Sequence, residues 1–262
     1  LKEYIKGDNI DINVDIIHED DDILVVNKPP FLTVHDAPSV KEHTLVDWLK
    51  YKQISLSTIS GEERHGIVHR LDKQTSGCLV VAKNNKAHES LSKQLESRCM
   101  GRYYLAIIDS PLKDDCIIEK PIDRNPANRL KMGIVENGRY AKSAFKKLCL
   151  SKNMKEELIA IKLFTGRTHQ IRVHLSSLNR HILGDSLYGF KSQNDTISRV
   201  YLHAFLLYLI HPTTNQLVYF KAPLFDDMNN YLFENFDKEY LHEILFKDDF
   251  IINSFDFLDK RL

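Results

Sequence analysis

The stretch from Gly66 to Gly77, GIVHRLDKQTSG, is a polar turn that runs straight into the apolar segment 78–82, CLVVA. Five apolar residues leaving a Gly-containing turn predict a buried strand. The turn carries one carboxylate, Asp72, between Arg70 and Lys73. Neighbouring cations favour the ionised form of an acid. An ionised carboxylate at a loop–strand junction is suited to act as a nucleophile or a base. The tetrapeptide HRLD alone is more often a surface ion pair. Its meaning therefore depends on the rest of the chain.

Other segments predict a sheet with interspersed helices. Residues 23–26 read as a short buried strand stopped by Pro29 and Pro30. Residues 44–51 read as a helix capped by Thr44, with Leu45, Trp48 and Leu49 on one face. Further strands are expected at 79–82, 103–108, 159–164, 201–210 and 217–220, and helices at 85–97 and 169–178. Alternation in 103–108 puts Tyr104 and Ala106 on one face and Tyr103 and Leu105 on the other. The elements lack the even rhythm of a doubly wound fold. They predict an α+β class with a mixed, largely antiparallel sheet and flanking helices and loops.

Charge is segregated along the chain, although the total is zero. Residues 1–22 carry eight acids against two bases, and residues 226–262 carry ten against four. The body between them, 23–225, is strongly basic, which fits a phosphate-binding surface better than the total suggests. Within it, residues 120–147 hold eight bases and two acids around turn-forming Asn125-Pro126 and Asn137-Gly138. They read as a basic hairpin able to touch a nucleic-acid backbone, or simply to solvate itself.

No apolar run approaches the ~20 residues needed to span a bilayer, and the charged start does not read as a secretory signal. Cys78, Cys99, Cys116 and Cys149 form no C-x-x-C pair and are expected to be reduced thiols of a cytoplasmic protein.

Several blocks resemble, in order, the motifs of the RluA family of RNA pseudouridine synthases. GIVHRLDKQTSG is similar to the catalytic signature. Asn27-Lys28-Pro29-Pro30 with Val34-His35 resembles an upstream loop, and Arg102-Tyr103-Tyr104-Leu105-Ala106 the tyrosine motif. The run TGRTHQIR from Thr165 to Arg172 resembles the arginine motif; GDSLYG from Gly184 and Leu202-His203-Ala204 resemble later blocks. The resemblance covers roughly residues 18–225. It implies a catalytic domain there, with residues 1–17 a linker and 226–262 an acidic extension packed on it. The segment from Tyr4 to Ile10 resembles the end of a small S4-type RNA-binding module. Gln74, Cys78 and Arg180-His181 depart from the usual family wording without removing a catalytic group.

The resemblance implies isomerisation of uridine to pseudouridine in RNA, ribosomal RNA of the large subunit in the first place and transfer RNA as the alternative. It implies Asp72 as the essential carboxylate, attacking C1′ or removing the C2′ proton. Arg167 is expected to pair with Asp72, and Tyr104 to stack on uracil and present its hydroxyl to C5. Arg70 is expected to fill the space left by the flipped base, with Lys73, Arg129 and Arg139 as further RNA contacts. No cofactor, metal or membrane is expected, and the protein is expected to be a monomer.

Two other readings compete. Twelve histidines invite a metal site, with His65 and His69 four apart and His169 and His174 five apart. Position 66 is Gly where HExxH needs Glu, and the local pattern is loop rather than helix. A non-catalytic RNA-binding or ribosome-assembly protein on the same scaffold should have lost Asp72, Tyr104 or Arg167, and all three are present.

Overall fold

The computed structural model describes residues 10–36, 40–61, 64–189, 197–247 and 249–256. The expectation for Tyr4 to Asn9 lies outside them.

Strands β1 (Asp15–Glu19), β2 (Ile23–Lys28) and β3 (Ser76–Ala82) form one side of a nine-stranded sheet. The other side is built by β4 (Gly101–Ile108), β9 (Glu157–Leu163), β8 (Lys142–Leu150) and β5 (Cys116–Glu119). The long strand β10 (Leu202–Ile210) joins the halves, lying between β3 and β4 and also carrying β11 (Leu217–Lys221). All pairings in this sheet are antiparallel except β3 with β10. The fold is α+β, as the sequence predicts. In the basic segment, β6 (Ile122–Arg124) and β7 (Met132–Ile134) pair as a separate two-stranded sheet.

The apolar runs of β2 and β3 are continuous because both faces are covered. Leu24, Val26, Leu79 and Val81 enter the larger core; Ile23, Val25, Cys78, Val80 and Ala82 enter the smaller. Helix α1 (Leu45–Tyr51) closes the larger core with Leu45, Trp48 and Leu49. Its start is a capping box: Thr44 Oγ1 accepts from the Asp47 N–H while the Asp47 carboxylate accepts from the Thr44 N–H. Such a cap stabilises a helix by ~1 kcal/mol. Helix α2 (Asn85–Ser97) covers the smaller core through Ala87 and Leu91.

Helices α4 (Asp226–Asn235), α5 (Lys238–Phe246) and α6 (Phe250–Asn253) insert Met228, Leu232, Leu241, Ile244 and Ile251 into the larger core, with Phe236 just after α4. Their acids lie outward; Asp227 also holds the buried Arg199, with Nη2 to Oδ1 at 2.8 Å. Among the described residues no helix is long and apolar enough to cross a membrane.

The parallel contact of β3 with β10 positions the site. Ser76 pairs with His203 and Gly77 with Ala204. Gly77 has φ +115°, and a Cβ there would stand 2.3 Å from the Ala204 carbonyl oxygen. Only glycine permits this approach, so the turn bearing Asp72 is drawn to the centre of the sheet.

Candidate active site

Lys28, at the end of β2, anchors the turn from beneath. It is fully buried, and Nζ donates to the carbonyls of Pro29 and Leu32 at 2.8 Å and of Lys73 at 3.3 Å. Burial pulls its pKa down to about 7, while the Asp72 charge opposes the shift. The turn also closes on itself, with the Thr75 N–H donating to the Asp72 carbonyl at 3.1 Å.

Above this support lies a cavity of about 790 Å³ lined by Asp72, Tyr104 and residues of the Thr165–Arg172 segment. Asp72 keeps 23% of its side chain exposed and faces Arg172, with Nη1 to Oδ2 at 3.5 Å. Arg172 projects from helix α3 (Gln170–Ser176). Its Nε and Nη2 donate to the two carboxylate oxygens of Asp185 at 2.7 and 2.8 Å. Its guanidinium carbon lies 4.9 Å from the centre of the Tyr188 ring. Burial works against the charge on Arg172, but the hydrogen bonds and charge of Asp185, with Asp72, outweigh it and raise its pKa. His169 Nε2 is 3.9 Å from the same Asp72 oxygen, and its Nδ1 meets the Tyr188 hydroxyl at 3.0 Å.

Tyr104 is 4% exposed and lines the cavity. Burial pushes its hydroxyl up to about 12, partly offset by Arg102 and reinforced by Asp72. The phenol therefore stays protonated at neutral pH. Tyr103 faces away, its ring packed against Phe255 at 5.4 Å and Tyr208 at 6.0 Å.

The structure corrects the expected partner of Asp72. Arg167 lies on the rim, where its Nε donates to the Tyr140 carbonyl at 2.9 Å. Arg167 stands before the left-handed residue His169 (φ 56°) at the start of α3, whereas Arg172 lies within α3 and faces Asp72. Arg167 remains in the cavity lining beside Arg139 and Arg98.

The other predicted contacts divide. Arg70 and Arg139 line the cavity, with Arg70 Nη1 donating to His35 Nε2 at 3.3 Å. Lys73 turns away to an ion pair with Glu42 and is not part of the lining. The cation that faces Asp72 is thus Arg172, whereas its sequence neighbour Lys73 pairs with Glu42. Arg129 sits in the β6–β7 connection, also outside the lining, where its carbonyl accepts from Arg124 Nη1 at 2.9 Å. Arg64 and Arg98 join the lining without having been singled out. Sequence reading also missed Arg172, Asp185, Tyr188, His169 and Lys28 as site groups. The available signal was the second arginine of TGRTHQIR together with the acid of GDSLYG.

The histidines weighed as metal ligands have other partners. His69 Nε2 accepts from the Val80 N–H at 3.1 Å, and His174 meets Ser143 Oγ and the Lys120 carbonyl. Elsewhere Asp20, Asp22 and His211 bring ligand-type atoms within 4.8 Å of one another. Asp20 Oδ1 accepts from the Asp22 and Ile23 N–H groups, and Oδ2 contacts His18 and His211. That cluster is a hydrogen-bonded junction between two turns.

A carboxylate beside a buried guanidinium, a buried tyrosine and an arginine-rich opening suits chemistry on a base taken out of an RNA strand. Comparisons agree. Residues 22–177 match the family model described as RNA pseudouridylate synthase. A Helicobacter pylori protein described as an uncharacterized RNA pseudouridine synthase is 52% identical over 246 residues, covering 90% of this chain and 74% of that protein. Ribosomal large subunit pseudouridine synthase D of Nitrosomonas europaea is 39% identical over 224 residues, covering 83% and 64%. The solved structure of human RNA Pseudouridylate Synthase Domain Containing 1 superposes with a TM-score of 0.65 at 26% identity, covering 89% of this chain and 99% of that one. With the motif order, the sheet and the match over residues 22–177 in agreement, the chain belongs to the RNA pseudouridylate synthase family.

Proposed function

We propose that this enzyme converts a specific uridine of large-subunit ribosomal RNA to pseudouridine, with Asp72 as the essential carboxylate. The observation that carries the reading is the Asp72–Arg172 contact at 3.5 Å in a cavity that Tyr104 also lines. Arg172 Nη1 faces one carboxylate oxygen of Asp72 at 3.5 Å, which leaves the other oxygen for the sugar.

The reaction breaks the N1–C1′ bond, turns the base over and joins C5 to C1′. It is an isomerisation with no change of redox state. Uridine must first leave its stack, at a cost of a few kcal/mol. Arg70, Arg98, Arg139 and Arg167 supply the compensating cationic surface for phosphates and stacked bases. Asp72 then attacks C1′ or removes the C2′ proton, and either route detaches uracil over the Tyr104 ring. Tyr104, protonated at neutral pH, relays rather than directly accepts the C5 proton.

The ribosomal choice is supported by the large-subunit synthase of Nitrosomonas europaea and by a second one, from Zymomonas mobilis, at 40% identity. Mapping pseudouridines in total RNA from cells with and without the gene tests it. The expected result is loss of one or a few sites in large-subunit ribosomal RNA. Loss confined to transfer RNA, or no loss, contradicts the proposal.

A further inference from the structure

Arg102 precedes Tyr104 by two residues on β4, so both project from the same face, and both line the cavity. It is only 9% exposed. Its Nε is buried with no hydrogen-bond partner, and no carboxylate pairs with it among the described residues. Gly166 makes room for it: a Cβ there would lie 2.8 Å from Arg102 Nη1. Burial pulls its pKa down, with only Tyr104 opposing. The neighbouring arginines differ. Arg172 is neutralised by Asp185 and Asp72, and Arg167 sits at the rim. Burying an unpaired guanidinium weakens the fold, so its retention calls for a reason, and a catalytic role is one.

We propose that Arg102 is a catalytic residue that stabilises the negative charge of the departing uracil, a role that rests on the reading of Asp72 above. When the N1–C1′ bond breaks, its electron pair leaves with the base and spreads over N1, O2 and O4. If Asp72 attacks, a C1′–O bond forms as C1′–N1 breaks. C5 then displaces the carboxylate, the C5 proton departs, and N1 gains a proton. If Asp72 removes the C2′ proton, a C1′–C2′ double bond forms as the same pyrimidine anion leaves. Asp72 then returns the proton to C2′ while C5 bonds to C1′, C5 loses its proton and N1 gains one. In both routes Arg102 donates to a uracil carbonyl oxygen, and the contact strengthens as charge develops. Fixed donors aimed at developing charge in a dry site are among the strongest catalytic devices. An RNA phosphate is the rival anion, but Arg102 lies beside the Tyr104 platform rather than on the exposed rim.

The test uses the full chain and an RNA that the wild type converts, comparing Arg102→Gln and Arg102→Lys with wild type. Single-turnover rate at saturating RNA should fall ~100-fold or more in Arg102→Gln, with affinity and its salt dependence unchanged. Arg102→Lys, which keeps the charge, should recover part of the rate. The Arg102→Gln defect should shrink at least ~10-fold when 5-fluorouridine replaces the target and its consumption is followed, because that ring stabilises its own anion and needs less help. Removing an unpaired buried charge should leave the melting temperature equal or higher.

Four results overturn the proposal: a rate within about threefold of wild type; an equal defect on both RNAs; weaker binding with a salt slope reduced by about one, which marks a phosphate clamp; or a lowered melting temperature or misfolding, which marks a structural arginine. Failure of the site reading itself would look different. Asp72→Asn would then turn over normally, whatever Arg102 does.

Discussion

Arg172 grips Asp185 with two nitrogens at 2.7 and 2.8 Å and reaches Asp72 with the third at 3.5 Å. The short fork fixes the plane of the guanidinium. The longer reach sets the guanidinium against Asp72, which keeps 23% of its side chain exposed to the cavity. One arginine therefore joins a buried anchor to the group proposed to do chemistry.

Replacing Arg172 by Lys keeps the charge but cannot serve both carboxylates. Loss of a charge-assisted contact costs ~1.5–3 kcal/mol. The single-turnover rate at saturating RNA should fall between about tenfold and a hundredfold. Thermal stability should also fall, because Asp185 is 1% exposed and loses its fork. A rate within about twofold of wild type contradicts the pairing.

Arg167→Gln is expected to behave differently, since its Nε binds the Tyr140 carbonyl on the rim. Binding to RNA should weaken, and the dependence of log affinity on log salt should lessen by about one phosphate. The saturated single-turnover rate should stay close to wild type. A rate loss as large as that of Arg172→Lys would put Arg167 at the chemistry after all.

Tyr104→Phe removes one hydroxyl and keeps the ring. With RNA carrying tritium at C5 of uridine, the variant should bind normally and release little tritium. Tyr103→Phe alters a ring held between Phe255 and Tyr208 on the opposite side and should release tritium like wild type. Equal behaviour of the two variants contradicts a role for the Tyr104 hydroxyl.

Acid should weaken the fold through His203. Its Nε2 donates to the Ala222 carbonyl and its Nδ1 accepts from Ser76 Oγ, which itself accepts from Arg199. Burial, together with the Arg199 charge, lowers its pKa to about 4 from 6.5. Between those values the unfolded chain takes up a proton that the folded one refuses. The stability contribution is therefore complete above pH ~6.5 and lost as pH falls towards ~4, by up to ~1.4 kcal/mol per pH unit. Urea denaturation across this range should show a shallower slope for His203→Gln. An unchanged slope contradicts the assignment.

The sheet was legible where burial on both faces writes a continuous apolar run, as in β2 and β3, and α1 was legible because Thr44 announces its cap. Strand alternation placed Tyr103 and Tyr104 on opposite faces, whereas the role expected of Tyr104 rested on the family resemblance. The partner of Asp72 was not legible. TGRTHQIR holds two arginines five residues apart, and only the fold, with the left-handed His169 between them at the start of α3, shows that the second one faces Asp72. Lys28 was hidden for another reason: lysine is rarely buried, and only the folded chain shows three carbonyls converging on its Nζ. Lys73 beside Asp72 looked like its counter-ion, but Glu42, thirty-one positions away, claims it.

The most direct test of the account is Asp72→Asn, which keeps the shape of the side chain while removing its charge and its ability to attack or accept a proton. Single-turnover pseudouridine formation should be measured with saturating ribosomal RNA, alongside a melting curve to confirm folding. The account predicts a folded protein that binds RNA and forms no detectable pseudouridine. Appreciable turnover by that folded variant would contradict it.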